Sequence, residues 1–206
     1  MSKREEFLLK MYDQMFNDIN RHIMVVWQSI GVLVGAFAIF ALVEKQVISL
    51  DIATSIILLL SAWLIAHLFD AAYWYNRNLA IIANIERQFL LRSDLKEIHY
   101  YFGSHRQKNK MIEHLRIQLS LGVALAVLVL LYHFFDRVLP GLTSSFCNFE
   151  PVRSLPYVVV LASLFYLRKL KLDGAEKYKE FIDNSPGIEI DTSSVSYGKG
   201  HGHSTG

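Results

Sequence analysis

The sequence predicts an all-α, polytopic membrane protein with four transmembrane helices, the first two extended into a cytoplasmic helical stalk. Three observations carry that expectation. The 206 residues are 52% hydrophobic and only 19% charged, on the apolar side of an ordinary globular domain. The apolar residues are gathered into four runs rather than spread along the chain. The basic residues divide unevenly between alternate connections, as they do in membrane proteins of fixed orientation.

The first run, Ile23–Val43 (IMVVWQSIGVLVGAFAIFALV), holds no charge, and about 20 residues suffice to cross a bilayer. The second, Ile52–Tyr75, is interrupted only by His67 and Asp70. The third, Leu115–Phe135, has Arg116 near its start and His133 near its end. The fourth, Pro156–Leu167, is shorter and needs Val152–Ser154 or Leu170–Leu172 to reach across. A helix packed on a soluble core shows water one polar face, and Gly31–Val43 and Ile56–Ala66 have none. The first run follows 22 residues that include Glu5, Glu6, Asp13 and Asp18. A second run comes directly after it, so it reads as a retained helix rather than a cleaved signal.

Lys45, in the first connection, and Arg137 and Arg153, in the third, stand on one side of such a topology. The other 18 of the 21 Lys and Arg lie in the N-terminal segment, the middle connection and the C-terminal part. Both termini and the middle connection are therefore expected in the cytoplasm, with the chain in the inner membrane. The single cysteine, Cys147, falls in an outer connection. It is either a plain loop thiol or half of an intermolecular bridge.

Three regions follow: residues 1–92, an N-terminal cytoplasmic helix with the first hairpin and its cytoplasmic extension; 93–172, a cytoplasmic turn with the second hairpin; and 173–206, a largely disordered tail. Before the first span, Phe7, Leu8, Met11, Tyr12, Met15, Phe16 and Ile19 mark one helix face. No Pro or Gly separates them from the span. After the second span, Ile82, Ile85 and Phe89 continue a similar stripe. The short connection EKQVISLD makes these two helices antiparallel neighbours. HYYFGSHRQKNK, with Gly103, reads as the tip of a cytoplasmic turn, followed by a helix from about Arg106 into the third span. Beyond Leu172 only Glu176–Ile182 is amphipathic, and NSPGIEIDTSSVSYGKGHGHSTG has the composition of a disordered tail.

The second span leaves the membrane through LIAHLFDAAYWYNRNLAIIANIERQFL. Tyr73, Trp74 and Tyr75 suit the headgroup boundary. Asp70, Arg77 and Asn84 are spaced by seven and share one helix face, with His67 one turn earlier and Gln88 one turn later. If Val43 and Ile52 share a depth, residues whose numbers sum to roughly 96 are neighbours in the hairpin. That sets Asp70 near Gln28, His67 near Ser29, Arg77 near Asp18 or Asn20, and Glu86 near Lys10. A carboxylate at membrane depth costs about 2.5–3.5 kcal/mol at the centre and less at the edge, so it normally faces the bundle. The stripe is either a ladder fixing helix register or the polar wall of a conduit or gate, with a catalytic pair as a third alternative.

Gly31 and Gly35 form a GxxxG that lets helix backbones approach closely, within the chain or between copies. Arg106, Lys108, Lys110 and Arg116 form a basic cluster suited to anionic lipid or a partner. Capture of a nucleotide or nucleic acid is the sharper alternative for the same patch. His99, His105 and His114 lack the spacing of a helical ligand pair, and there is no HExxH or CxxC. His201 and His203 lie in the tail and imply no folded site. No metal and no cofactor is expected. The absence of a Walker loop, a GxSxG and a Rossmann fingerprint points to a protein that is not an enzyme.

Two antiparallel spans whose helices run on into a cytoplasmic bundle, over Arg4–Val43 and Ile52–Leu91, resemble the SLATT-type membrane proteins of bacterial conflict systems. The resemblance is architectural, and this chain has two further apolar runs. It implies a membrane-perturbing or pore-forming effector controlled by a partner enzyme or a nucleotide signal. The expected partners are the bilayer and either a second copy of the chain or a cytoplasmic protein. An alternative is a membrane anchor that recruits a cytoplasmic protein through its basic turn, without conductance.

Overall fold

The computed structural model describes residues 2–91, 94, 108–143 and 150–186. Among them the regular structure is helical throughout. The elements are α1 (Lys3–Ile23), α2 (Val25–Glu44), α3 (Leu50–Phe89), α4 (Glu113–His133) and α5 (Leu155–Asp183). A π-helical turn, Phe134–Val138, and a 3-10 turn, Leu139–Thr143, continue α4. A second 3-10 turn, Pro151–Ser154, leads into α5. By length and composition two helices are apolar enough to cross a bilayer: α3, and α4 with its continuation to Gly141.

Local chemistry sets the helix ends. Ser2 and Glu5 form a reciprocal capping box, with Ser2 Oγ accepting the Glu5 N–H at 3.2 Å and Glu5 Oε2 accepting the Ser2 N–H at 2.7 Å. Helices α1 and α2 are separated only by Met24, whose own backbone stays in the right-handed region. The uninterrupted helix expected through this point is thus nearly realised. Helix α2 ends in a Schellman motif: the Val47 N–H bonds the Leu42 carbonyl and the Gln46 N–H bonds the Val43 carbonyl, both at 2.9 Å. Gln46 occupies the left-handed position, with φ of 58°. Ser49 Oγ then accepts the Ile52 N–H at 3.3 Å and caps α3.

The chain divides into two units. The first comprises Met1–His22, Tyr73–Lys110 and Ala175–Gly206. In it α1 lies against the C-terminal half of α3, through Tyr12 to Glu86 at 3.2 Å and Arg4 to Gln88 at 3.2 Å. These pairs fall close to the antiparallel register expected from the hairpin. Lys10, expected beside Glu86, instead pairs with Glu6 at 3.0 Å. The end of α5 joins them, with Tyr178 buried and its ring 6.5 Å from that of Tyr73. The amphipathic piece expected at Glu176–Ile182 is therefore the last part of a 29-residue helix. Buried Asn76 donates to Asn109 Oδ1 at 2.8 Å and to the Lys110 carbonyl at 2.9 Å. The helix expected from about Arg106 begins only at Glu113, and residues 108–112 are not helical.

The second unit comprises Ile23–Ala72 and Met111–Gly174. Its core joins Val32 of α2, Leu64, Leu68 and Ala71 of α3, and Leu115 of α4. A second cluster joins Ala36, Ile57, Leu58 and Val129, with Val159 and Val160 of α5 against it. Gly122 permits the close approach of α4 to α3, where an added Cβ would lie 3.4 Å from Leu64 and 3.5 Å from Ile65.

Two predictions follow from these contacts. Gln46→Gly removes the cost of a side chain at a left-handed position and is expected to stabilise the hairpin by up to about 1 kcal/mol, read from thermal unfolding. In the first unit, burial raises the Glu86 carboxyl above the usual glutamate range, although the Tyr12 hydrogen bond opposes it. Burial and the neighbouring Glu86 also push the Tyr12 hydroxyl up to about 12. A raised folded-state value means that the fold holds its proton after the unfolded chain has lost it. Stability therefore falls as pH rises from the ordinary glutamate range through the folded value. Glu86→Gln should flatten this slope, measured as melting temperature against pH from about 4 to 8.

Candidate functional site

The most heavily bonded polar cluster among the described residues lies in the second unit, where three apolar runs end. The first turn of α3 supplies Asp51, the last residue of α4 supplies His133, and α5 supplies Tyr157. Arg137 comes from the π-helical turn, Arg153 from the 3-10 turn, and Glu150 from just before it. Asp51 and His133 are almost completely withdrawn from solvent.

His133 Nε2 lies 2.8 Å from Asp51 Oδ1, and His133 Nδ1 lies 3.3 Å from the Tyr157 hydroxyl. Arg137 Nη2 donates to Asp51 Oδ2 at 3.1 Å and to Glu150 Oε2 at 3.3 Å. Arg153 grips Glu150 with two nitrogens, at 2.9 and 3.0 Å. Its third donates to the Arg137 carbonyl at 3.2 Å. Gly141 leaves room for this last contact, since an added Cβ would stand 3.1 Å from Arg153 Nη1. Glu150 lies outside the apolar runs, and the hydrogen bond from Arg153 holds its carboxyl below the usual range.

An ionised Asp51 can only accept hydrogen bonds, so His133 donates from Nε2. A neutral imidazole then accepts the Tyr157 O–H at Nδ1, and every polar group in the chain from Tyr157 to Asp51 is used. Two guanidinium groups balance two carboxylates, so the cluster is neutral with His133 neutral. Chemically, the arrangement can pin three helix ends at one level and hold a proton between Tyr157 and Asp51. Among the described residues no three His, Cys, Asp or Glu are grouped to hold a metal ion.

Hydropathy leaves Arg137 and Arg153 as flanking charges and Asp51 as the end of a short connection, and does not bring them together. The usable signal was that Asp51, Arg137, Glu150 and Arg153 flank apolar runs on the same expected side and balance in charge.

The residues of the expected stripe on α3 have different neighbours. His67 and Asp70 border an open groove of about 580 Å³ against α5, and the His67 ring packs edge-on to Trp63 at 4.5 Å. Arg77 instead places its guanidinium 5.2 Å from the Trp74 ring and 5.4 Å from the Phe181 ring, so its partners are aromatic rather than Asp18 or Asn20. Asn84 lines a separate hollow with Arg87, Gln88 and Pro186. Ser29, expected beside His67, hydrogen-bonds Gln118. The Gln28 side chain, Arg106 and Cys147 lie outside the described residues.

Among the described residues, a Cβ added at Gly31 or Gly35 would have no neighbour within 4 Å. Lys108, Lys110 and Arg116 are exposed, and Arg116 pairs with Glu113 at 3.5 Å. Compared with protein-family models, curated proteins and solved structures, the chain matches none.

Arg137→Leu, which strands the buried Asp51 charge, is expected to cost about 3 kcal/mol. Adding Asp51→Asn should restore roughly half of that loss, because the charge left behind is then gone. Denaturant unfolding of the two variants in detergent measures both values.

Proposed function

We propose that this chain is a four-span inner-membrane protein with both termini in the cytoplasm, that it assembles with copies of itself, and that it acts as a pore-like or signalling effector without enzymatic activity. Outward-facing apolar surface carries the reading. In the most apolar stretch of Glu113–Gly141 only 17% of the residues are buried. A soluble protein would hide such a helix, because contiguous exposed apolar surface of this kind marks a membrane or an interface. Helix α2 adds the same feature, with Trp27, Val34 and Phe37 turned outward. Among the described residues nothing packs on its Gly31 and Gly35, which leaves them open to a neighbouring backbone. The likeness to SLATT-type proteins agrees with this assignment, and Asp70 is the polar group that the assembly would present to ions.

The test is ion flux through liposomes reconstituted with the purified protein, with its mass measured in detergent. The wild-type chain is expected to be oligomeric and to leak ions. Gly31→Leu with Gly35→Leu should yield a monomer without flux, and Asp70→Asn should change the leak without abolishing insertion. Monomeric wild-type protein without flux overturns the proposal.

A specific observation favours a second reading, that of a membrane anchor. Asn76 holds the Asn109 side chain and the Lys110 carbonyl by two hydrogen bonds while Lys108 and Lys110 stay exposed. A soluble partner that co-purifies with the chain, and is lost when residues 92–110 are replaced, would select that reading over self-assembly.

A further inference from the structure

The groove of about 580 Å³ in the second unit has the size of a pocket for a drug-sized molecule. One wall is α3, with Leu59, Trp63, His67 and Asp70; the other is α5, with Ser163 and Tyr166. Most of the lining is apolar. Among the described residues the Asp70 carboxylate has no ion pair and no hydrogen-bond partner. Trp63 and Tyr166 expose their rings to the same space. A carboxylate and two part-exposed aromatic rings lining one largely apolar groove attract positive charge in two ways, directly and through the ring quadrupole. Among the described residues no Lys or Arg lines the groove, so none of them is placed to hold the phosphate of a phospholipid.

We propose that this groove binds a lipophilic monocation, a compact hydrophobic molecule with one delocalised or quaternary positive charge. Asp70 is the counter-ion, Trp63 and Tyr166 are the aromatic walls, and the small Ala62, Ala66, Ala162 and Ser163 give the apolar body its room. The site belongs to a single copy of the chain and does not require self-assembly.

The test uses full-length protein in phosphatidylcholine nanodiscs and equilibrium dialysis of labelled tetraphenylphosphonium, with tetraphenylborate as the control of matching shape and opposite charge. Saturable binding of one phosphonium per chain is expected, with no saturable binding of the borate. Asp70→Asn should weaken binding roughly tenfold, and Trp63→Ala by several-fold. Ser163→Trp leaves Asp70 in place and should block the groove from the other wall. Circular dichroism identifies any variant that fails to fold. Unchanged affinity in Asp70→Asn, or equal uptake of the borate, would overturn the proposal by reducing the signal to partition into lipid. Competitive displacement of the phosphonium by phosphatidylethanolamine would also overturn it, by reassigning the groove to an amine-headed lipid.

Discussion

A carboxylate withdrawn from water at the very start of the longest helix is the constraint on which the second unit rests. Asp51 sits in the first turn of α3, where the unbonded backbone N–H groups already favour negative charge. That alone does not offset the desolvation of a side chain that is only 3% exposed. His133 and Arg137 complete the compensation, and each can do so only if α4 and its π-helical turn end at the level where α3 begins. Glu150 and Arg153 extend the same requirement to the entry of α5. Apolar packing between these helices, by contrast, is tolerant of sliding. The ionic cluster makes one register better than its neighbours, which is the best-attested use of buried charge.

The first unit is held by a different kind of chemistry. Its contacts are rings, amides and one phenol: Tyr178 buried, Arg77 between two aromatic rings, Asn76 with both amide hydrogens in use, and Tyr12 on Glu86. Glu86 Oε2 has no partner among the described residues. That orphaned oxygen explains why burial dominates the carboxyl's behaviour.

Much of the fold was legible in the sequence. The helical class, the antiparallel pairing of the N-terminal helix with the second half of α3, and the extension of α3 well past its apolar run all follow from periodicity and the short connection at 45–49. At 40 residues α3 is about 60 Å long, twice the thickness of a hydrocarbon core. Hydropathy could not show which residues at the ends of different runs meet, so Asp51 and His133 went unpaired. Nor could it show which side of α2 faces its neighbours, so Gly31 and Gly35 stayed ambiguous. The seven-residue spacing of Asp70, Arg77 and Asn84 placed them on one face, but it could not show that Asp70 borders a groove, Arg77 lies by Trp74 and Phe181, and Asn84 lines a hollow with Pro186.

Residues 92–107 join an N-terminal half, α1 to α3, to a C-terminal half, α4 and α5, and the two halves touch in both units. Ser29 meets Gln118, Asp51 meets His133 and Arg137, and Asn76 meets Asn109. Leu64 and Leu68 share a core with Leu115. Side chains on each half therefore carry contacts that join them. Such a chain is suited to being made in two pieces: a gene split within that connection would encode fragments that carry matching surfaces and need only find one another in the same bilayer.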